Sequence, residues 1–192
     1  MLPDQLVTWA ATRGLSLREG TPAPGVTGSA VYSPGHNHRY ALTRTWGTGS
    51  HQTYILLNPA GATAAEDDAT VRALTAFATR DGHAGLVLAC AYAVLHRHPY
   101  TLTTGAPGGD PAVGEHNDEL LALLAEETHD IVLAWGVWGG VFPRLRAVET
   151  ILLRHGARLH CLGTTGAGHP LLPTFLPRNT PLQPYRPPGV DR

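Results

Sequence analysis

Two short stretches of the chain put reactive side-chain types where a fold can use them. The run Tyr54-Ile-Leu-Leu-Asn58-Pro59 ends an apolar segment on a carboxamide, and Gly163-Thr-Thr-Gly-Ala-Gly168-His169-Pro170 ends another on an imidazole in a glycine-rich loop. A carboxamide can hold a water molecule in place, and an imidazole can donate to an oxygen that gains negative charge. Cys90 and Tyr92 close a second apolar run and Trp135-Gly136 a third, where an aromatic ring can stack on a planar ligand. Asp67 and Asp68 follow the first run with Arg72 one turn on, and Leu171-Leu172 follow the last loop. Each also has a plainer reading. Asn-Pro closes many turns, Asp67 or Asp68 suits the N-cap of a helix with Arg72 pairing to Asp68, His169 suits an exposed loop, and Trp135 suits core packing.

The elements that must position these residues alternate along the chain. Four apolar runs, at residues 54–57, 86–89, 131–134 and 158–162, are separated by segments of helical spacing, which predicts parallel strands covered on both faces. A helix is predicted over 69–80, with Val71, Leu74, Phe77 and Ala78 on one face and Asp67 or Asp68 as its cap. Others are predicted over 117–127, after the glycine-rich stretch 105–114 and capped by His116-Asn117-Asp118, and over 143–154, closed by Gly156. Residues 30–46 read as a hairpin turning at 34–37. The expected fold is a three-layer α/β/α arrangement around a central four-stranded, mostly parallel sheet with an N-terminal hairpin. Residues 1–28 read as an N-terminal helix and extension, 29–177 as a single α/β domain and 178–192 as a proline-rich tail. In an open parallel sheet ligands bind beyond the carboxyl ends of the strands. That rule gathers Asn58, Cys90, Tyr92, Trp135 and the 163–170 loop at one edge.

Composition removes several classes of function. At 192 residues and 43% hydrophobic, one core is the default, and a net charge of −1 gives no global attraction to nucleic acid or anionic lipid. Every basic residue apart from histidine is arginine, so lysine Schiff-base and P-loop chemistry are excluded. Cys90 and Cys161 each sit in an apolar run, as buried thiols in a reducing compartment do. The amino terminus lacks a basic leader, and the longest apolar run, residues 84–95, is shorter than the roughly 20 residues that span a bilayer. A cytoplasmic protein with no membrane partner is expected. No serine lies in a G-x-S-x-G elbow, and the 163–168 glycines do not form the dinucleotide fingerprint. The pairs His36/His38 and His96/His98 lack a third ligand at recognisable spacing, so neither metal nor cofactor is expected.

The blocks HRYALTRTWG, LLNPAGATAAEDDATVR, GEHNDELL, IVLAWG and CLGTTGAGHP, in this order over about residues 38–177, resemble the bacterial family of unknown function DUF1643. That family is similar in layout to the uracil-DNA glycosylase superfamily. The resemblance implies that Asn58-Pro59 matches the Asn-Pro form of the glycosylase motif after the first core strand, and His169-Pro170 the His-Pro motif after the last. On this reading Asn58 positions the attacking water, and His169 with nearby amides, Gly168 among them, stabilises the departing base. Tyr92 or Trp135 stacks on the base, and Leu171-Leu172 wedges into a duplex.

The chain departs from the family pattern at several polar positions. Cys90 stands where an Asn that reads the base edge is usual, and a thiol lacks an amide's paired donor and acceptor. Leu95 replaces an Arg unless the register shifts to Arg97, Ala60-Gly61 replace Ser-Thr, Thr63 replaces an acid and Leu172 a second His. Three classes therefore stay open: an N-glycosidase acting on DNA or a nucleotide, a non-catalytic nucleotide- or nucleic-acid-binding module, and another hydrolase or transferase on the same scaffold. The expected partner is a nucleobase, nucleotide or DNA. Neither the base nor the oligomeric state follows from the sequence.

Overall fold

A computed structural model describes residues 2–95, 98, 99, 102 and 111–188. In chain order the elements are α1 (Leu2–Thr12), β1 (Ser16–Ala23), β2 (Val26–Tyr32), β3 (Arg39–Thr45), β4 (His51–Leu56), α2 (Ala69–Arg80), β5 (Gly85–Cys90), α3 (Asn117–Thr128), β6 (Asp130–Leu133), α4 (Pro143–Arg154), β7 (Arg158–Cys161) and β8 (Gln183–Pro184). Short 3-10 turns occupy Gly136–Gly140 and Pro173–Phe175. No helix among the described residues is long and apolar enough to cross a membrane. His96, Arg97 and residues 105–110 lie outside the described residues.

All four apolar runs become strands, and they pair in parallel in the order β5-β4-β6-β7. The expected four-stranded, mostly parallel sheet is nonetheless corrected: the sheet has eight strands, and four of its seven pairings are antiparallel. The reason lies in the edges, where unpaired backbone donors and acceptors invite another strand. The predicted β2–β3 hairpin does not stand apart but joins through β3 to β5, with Leu42 opposite Leu88, and β1 extends it. On the other edge β8, from the proline-rich tail, pairs with β7, and the buried Tyr185 beside it donates to the Glu149 carboxylate at 2.9 Å. Residue 28 lies inside β2, so the sheet runs through both ends of the predicted 29–177 unit.

The strands send alternate side chains to opposite faces, as the period of two requires. Ile55, Val87, Ile131 and Leu133 join one core with residues of α1, α3 and α4, while Tyr54, Leu56, Leu86 and Leu88 join another with Val71, Leu74 and Ala78 of α2. Helices thus cover both faces. The chain leaves β4 toward α2 on one face and leaves the adjacent β6 toward α4 on the other. Neighbouring strands whose connections part in this way leave a crevice between their carboxyl ends.

The helix ends follow from local chemistry, with one correction. Asp68 caps α2 by accepting from the Val71 N–H at 2.9 Å, Pro143 opens α4, and Gly156 follows it at φ +85°, where a side chain would be strained. The expected cap of α3 is different, since His116 makes no capping hydrogen bond. Asn117 is fully buried instead, and its side-chain amide donates to the carbonyls of Cys90 and Ala91 at 3.0 Å each. It ties the start of α3 to the end of β5.

Candidate functional site

Between the ends of β4 and β6 lies a cavity of about 440 Å³. Leu56, Leu57 and Asn58 contribute from the end of β4, Trp135, Gly136, Val137 and Trp138 from the end of β6, Asp68, Thr70 and Val71 from the start of α2, and Leu171, Leu172 and Phe175 from the segment after β7. Most of this surface is apolar. The rim carries Val137 and Phe175, which are 68% and 89% exposed.

Two buried arginines of β3 hold the loop that carries Asn58. Arg44 is fully buried and makes four hydrogen bonds: its Nε donates to the Asp67 carboxylate at 2.7 Å, and its other nitrogens donate to the carbonyls of Thr43, Thr63 and Glu66. Arg39, 4% exposed, donates through Nη1 to the Ala62 carbonyl and also lines the cavity. Asp68 fastens the same loop, accepting from the Ala62 N–H at 3.2 Å as well as from Val71. The loop lies so close to the hairpin that a Cβ at Gly28 would fall 2.2 Å from the Ala64 carbonyl oxygen, which explains a glycine in the middle of β2.

The structure brings some of the predicted site residues together and not others. Asn58, Trp135, Gly136, Asp68, Leu171 and Leu172 share the cavity. Asn58 is half-buried and donates to the Pro59 carbonyl at 3.2 Å, with Pro59 buried behind it. The Gly136 N–H donates to the Pro170 carbonyl at 2.8 Å, locking the last loop to the third. His169 is not among the lining residues. It sits against the Gly136–Gly140 turn, where a Cβ at Gly139 would fall 2.3 Å from its ring, and its backbone closes a local turn with Thr165. Gly168, at φ +82°, makes that turn possible.

Cys90 and Tyr92 also lie off the cavity. Cys90 is buried beside Leu56 and Leu88, and burial pushes its thiol up to about 12. Tyr92 points to the opposite core, edge-on to Phe142 at 5.6 Å, where it cannot stack on a ligand in the crevice. Asp67 serves Arg44, and Arg72 donates to the Asp67 carbonyl at 2.6 Å rather than pairing with Asp68. His36 stacks on Tyr32 and His38 on Tyr40, and no group of three metal-ligating side chains occurs among the described residues.

Sequence reading missed Arg39, Thr70, Val137, Trp138 and Phe175. Only Arg39 carried a usable signal. An arginine followed by the apolar Tyr40, Ala41 and Leu42 needs a partner once the strand is buried.

Fold and crevice define an α/β protein whose candidate site opens at the switch point between two parallel strands. The chain belongs to the family described as "Protein of unknown function (DUF1643)", which matches residues 39–174, from the cavity-lining Arg39 to the turn before Phe175. Comparison with curated proteins and with solved structures finds no match.

Proposed function

We propose that the crevice between β4 and β6 binds a small ligand carrying a nucleobase, such as a nucleoside or nucleotide. The observation that carries this reading is that the half-buried Asn58 carboxamide and the exposed Phe175 ring line one cavity with otherwise mostly apolar walls, behind which the Trp135 side chain is packed into the core. A heterocycle offers apolar faces and a polar edge, and such walls with one amide suit both. The volume of about 440 Å³ falls among those that enclose small molecules, roughly 300–1,000 Å³. A rim of Val137 and Phe175 and a net charge of −1 favour a small ligand over duplex DNA, whose binding draws on phosphate neutralisation.

A second reading, hydrolysis of an N-glycosidic bond, is favoured by one further observation: Asp68 lines the same cavity as Asn58. An amide to hold a water and a carboxylate to take its proton are the elements such a reaction needs. Both Asp68 oxygens accept main-chain N–H groups, and each keeps a second acceptor site for a water. His169 has no part in this form of the reading, because its ring sits against the Gly136–Gly140 turn.

The test is a panel of nucleosides, nucleoside monophosphates and oligonucleotides with modified bases, offered to the protein and to Asn58→Ala. Calorimetry reads binding and chromatography reads released base. We expect saturable binding that weakens about tenfold in Asn58→Ala, the loss of one buried hydrogen bond. Release of base by the unaltered protein alone establishes the enzyme; binding without release establishes the binding module. Affinities that Asn58→Ala leaves unchanged throughout the panel refute the site.

A further inference from the structure

The two arginines of β3 face the same loop with very different partners. Arg44 is neutralised by Asp67 and surrounded by three carbonyl acceptors. Arg39 is almost as deeply buried, yet among the described residues the one hydrogen bond of its guanidinium goes to the neutral Ala62 carbonyl and no carboxylate pairs with it. A guanidinium has five N–H donors, and its burial without a counter-charge is costly. Arg39 lines the crevice. The other charged group there, Asp68, makes no ion pair with Arg39 and has both oxygens committed to main-chain N–H groups.

We infer that Arg39 is the anchor of an anion subsite within the crevice, and that the ligand it completes is a phosphate monoester: a nucleoside monophosphate rather than a nucleoside or free base. This rests on the reading of the crevice as a nucleobase site and adds the charge that reading lacks. A guanidinium matches two phosphate oxygens at once, which a lysine cannot do and for which this lysine-free chain has only arginine. The remaining donors of Arg39 are those that Ala62 does not engage. Ala62 holds the guanidinium in place from the loop that also presents Asn58, so base edge and phosphate are read from one segment.

The experiment compares nucleosides, their 5′-monophosphates and inorganic phosphate on the unaltered protein, on Arg39→Gln and on Arg39→Lys, by calorimetry at fixed ionic strength. We expect each monophosphate to bind roughly tenfold to a hundredfold more tightly than its nucleoside, as charge-assisted bonds do. Arg39→Gln is expected to abolish the ratio of monophosphate to nucleoside affinity, each measured on the same variant, and Arg39→Lys to restore part of it. The ¹⁵Nε–H resonance of Arg39 in the unaltered protein should move on adding a monophosphate and stay still on adding the nucleoside, a readout that needs no variant to fold.

Nucleosides that bind with no gain from the phosphate, or a gain that survives in Arg39→Gln, overturn the anion subsite and leave the nucleobase reading standing. If no nucleoside or nucleotide binds, the nucleobase reading falls. Inorganic phosphate then decides the subsite alone: an Arg39 resonance that titrates with phosphate upholds it, and one that does not overturns it.

Discussion

Replacing Arg44 by methionine is expected to cost about 3–5 kcal/mol of folding stability, the usual loss when one partner of a buried ion pair is removed. The structure supports the upper part of that range. Arg44 is fully buried, and its loss leaves the Asp67 carboxylate, whose side chain is 22% exposed, without its counter-charge. It also removes the guanidinium hydrogen bond to the Thr43 carbonyl, at about 0.5–1.5 kcal/mol, in a strand that is paired on both sides. The carbonyls of Thr63 and Glu66 cost less, because both residues are exposed and water can replace the guanidinium. Methionine keeps much of the hydrocarbon volume, which offsets part of the loss. Chemical denaturation at neutral pH reads the total, and a melting temperature lower by on the order of 10 °C should accompany it. Asp67→Asn is expected to lose less, since Arg44 keeps its three carbonyl acceptors. A change below about 1 kcal/mol in Arg44→Met would refute the view that this arginine clamps the loop carrying Asn58.

Asn117→Ala should cost about 1–3 kcal/mol in the same assay, because it removes the amide donor from the Cys90 carbonyl and leaves the Ala91 carbonyl with Arg144 alone; a neutral result would refute the tie between α3 and β5. The acid limb of stability should depend on Asp130, whose carboxyl the Arg158 guanidinium and then His160 hold at about 2, below its ordinary 3.8. A depressed carboxylate contributes fully above its unfolded value and loses that contribution as pH falls through its folded one. Stability measured from pH 5 down to pH 2 should therefore fall more gently in Asp130→Asn, and parallel curves would exclude the effect. Cys90, with its thiol raised to about 12 by burial, should resist a disulfide exchange reagent at pH 8 until the protein unfolds; reaction at the rate of a free thiol would contradict its placement.

The candidate site was half legible beforehand, and the split has a physical pattern. Asn58 and Trp135 lie two residues past the ends of β4 and β6, and Tyr92 two residues past the end of β5, so the offset from a strand does not by itself decide which residue lines the crevice. His169 and Tyr92 lie off it because contacts far along the chain set their course. The Gly136–Gly140 turn receives the His169 ring, and Phe142 receives Tyr92. Arg39 was overlooked because its neighbours in sequence say nothing of the loop that covers it.

What the sequence determined by itself is local and periodic: four buried strands, the α2 and α4 helices, a cap on Asp67 or Asp68 and the hairpin turn, all read from spacings shorter than a dozen residues. The antiparallel extensions of the sheet, the attachment of the tail through β8 and the gathering of Asn58, Arg39 and Trp135 about one crevice were decided only in three dimensions. Strand neighbours and loop contacts join residues far apart along the chain, and no local pattern encodes which edge an unpaired strand will choose.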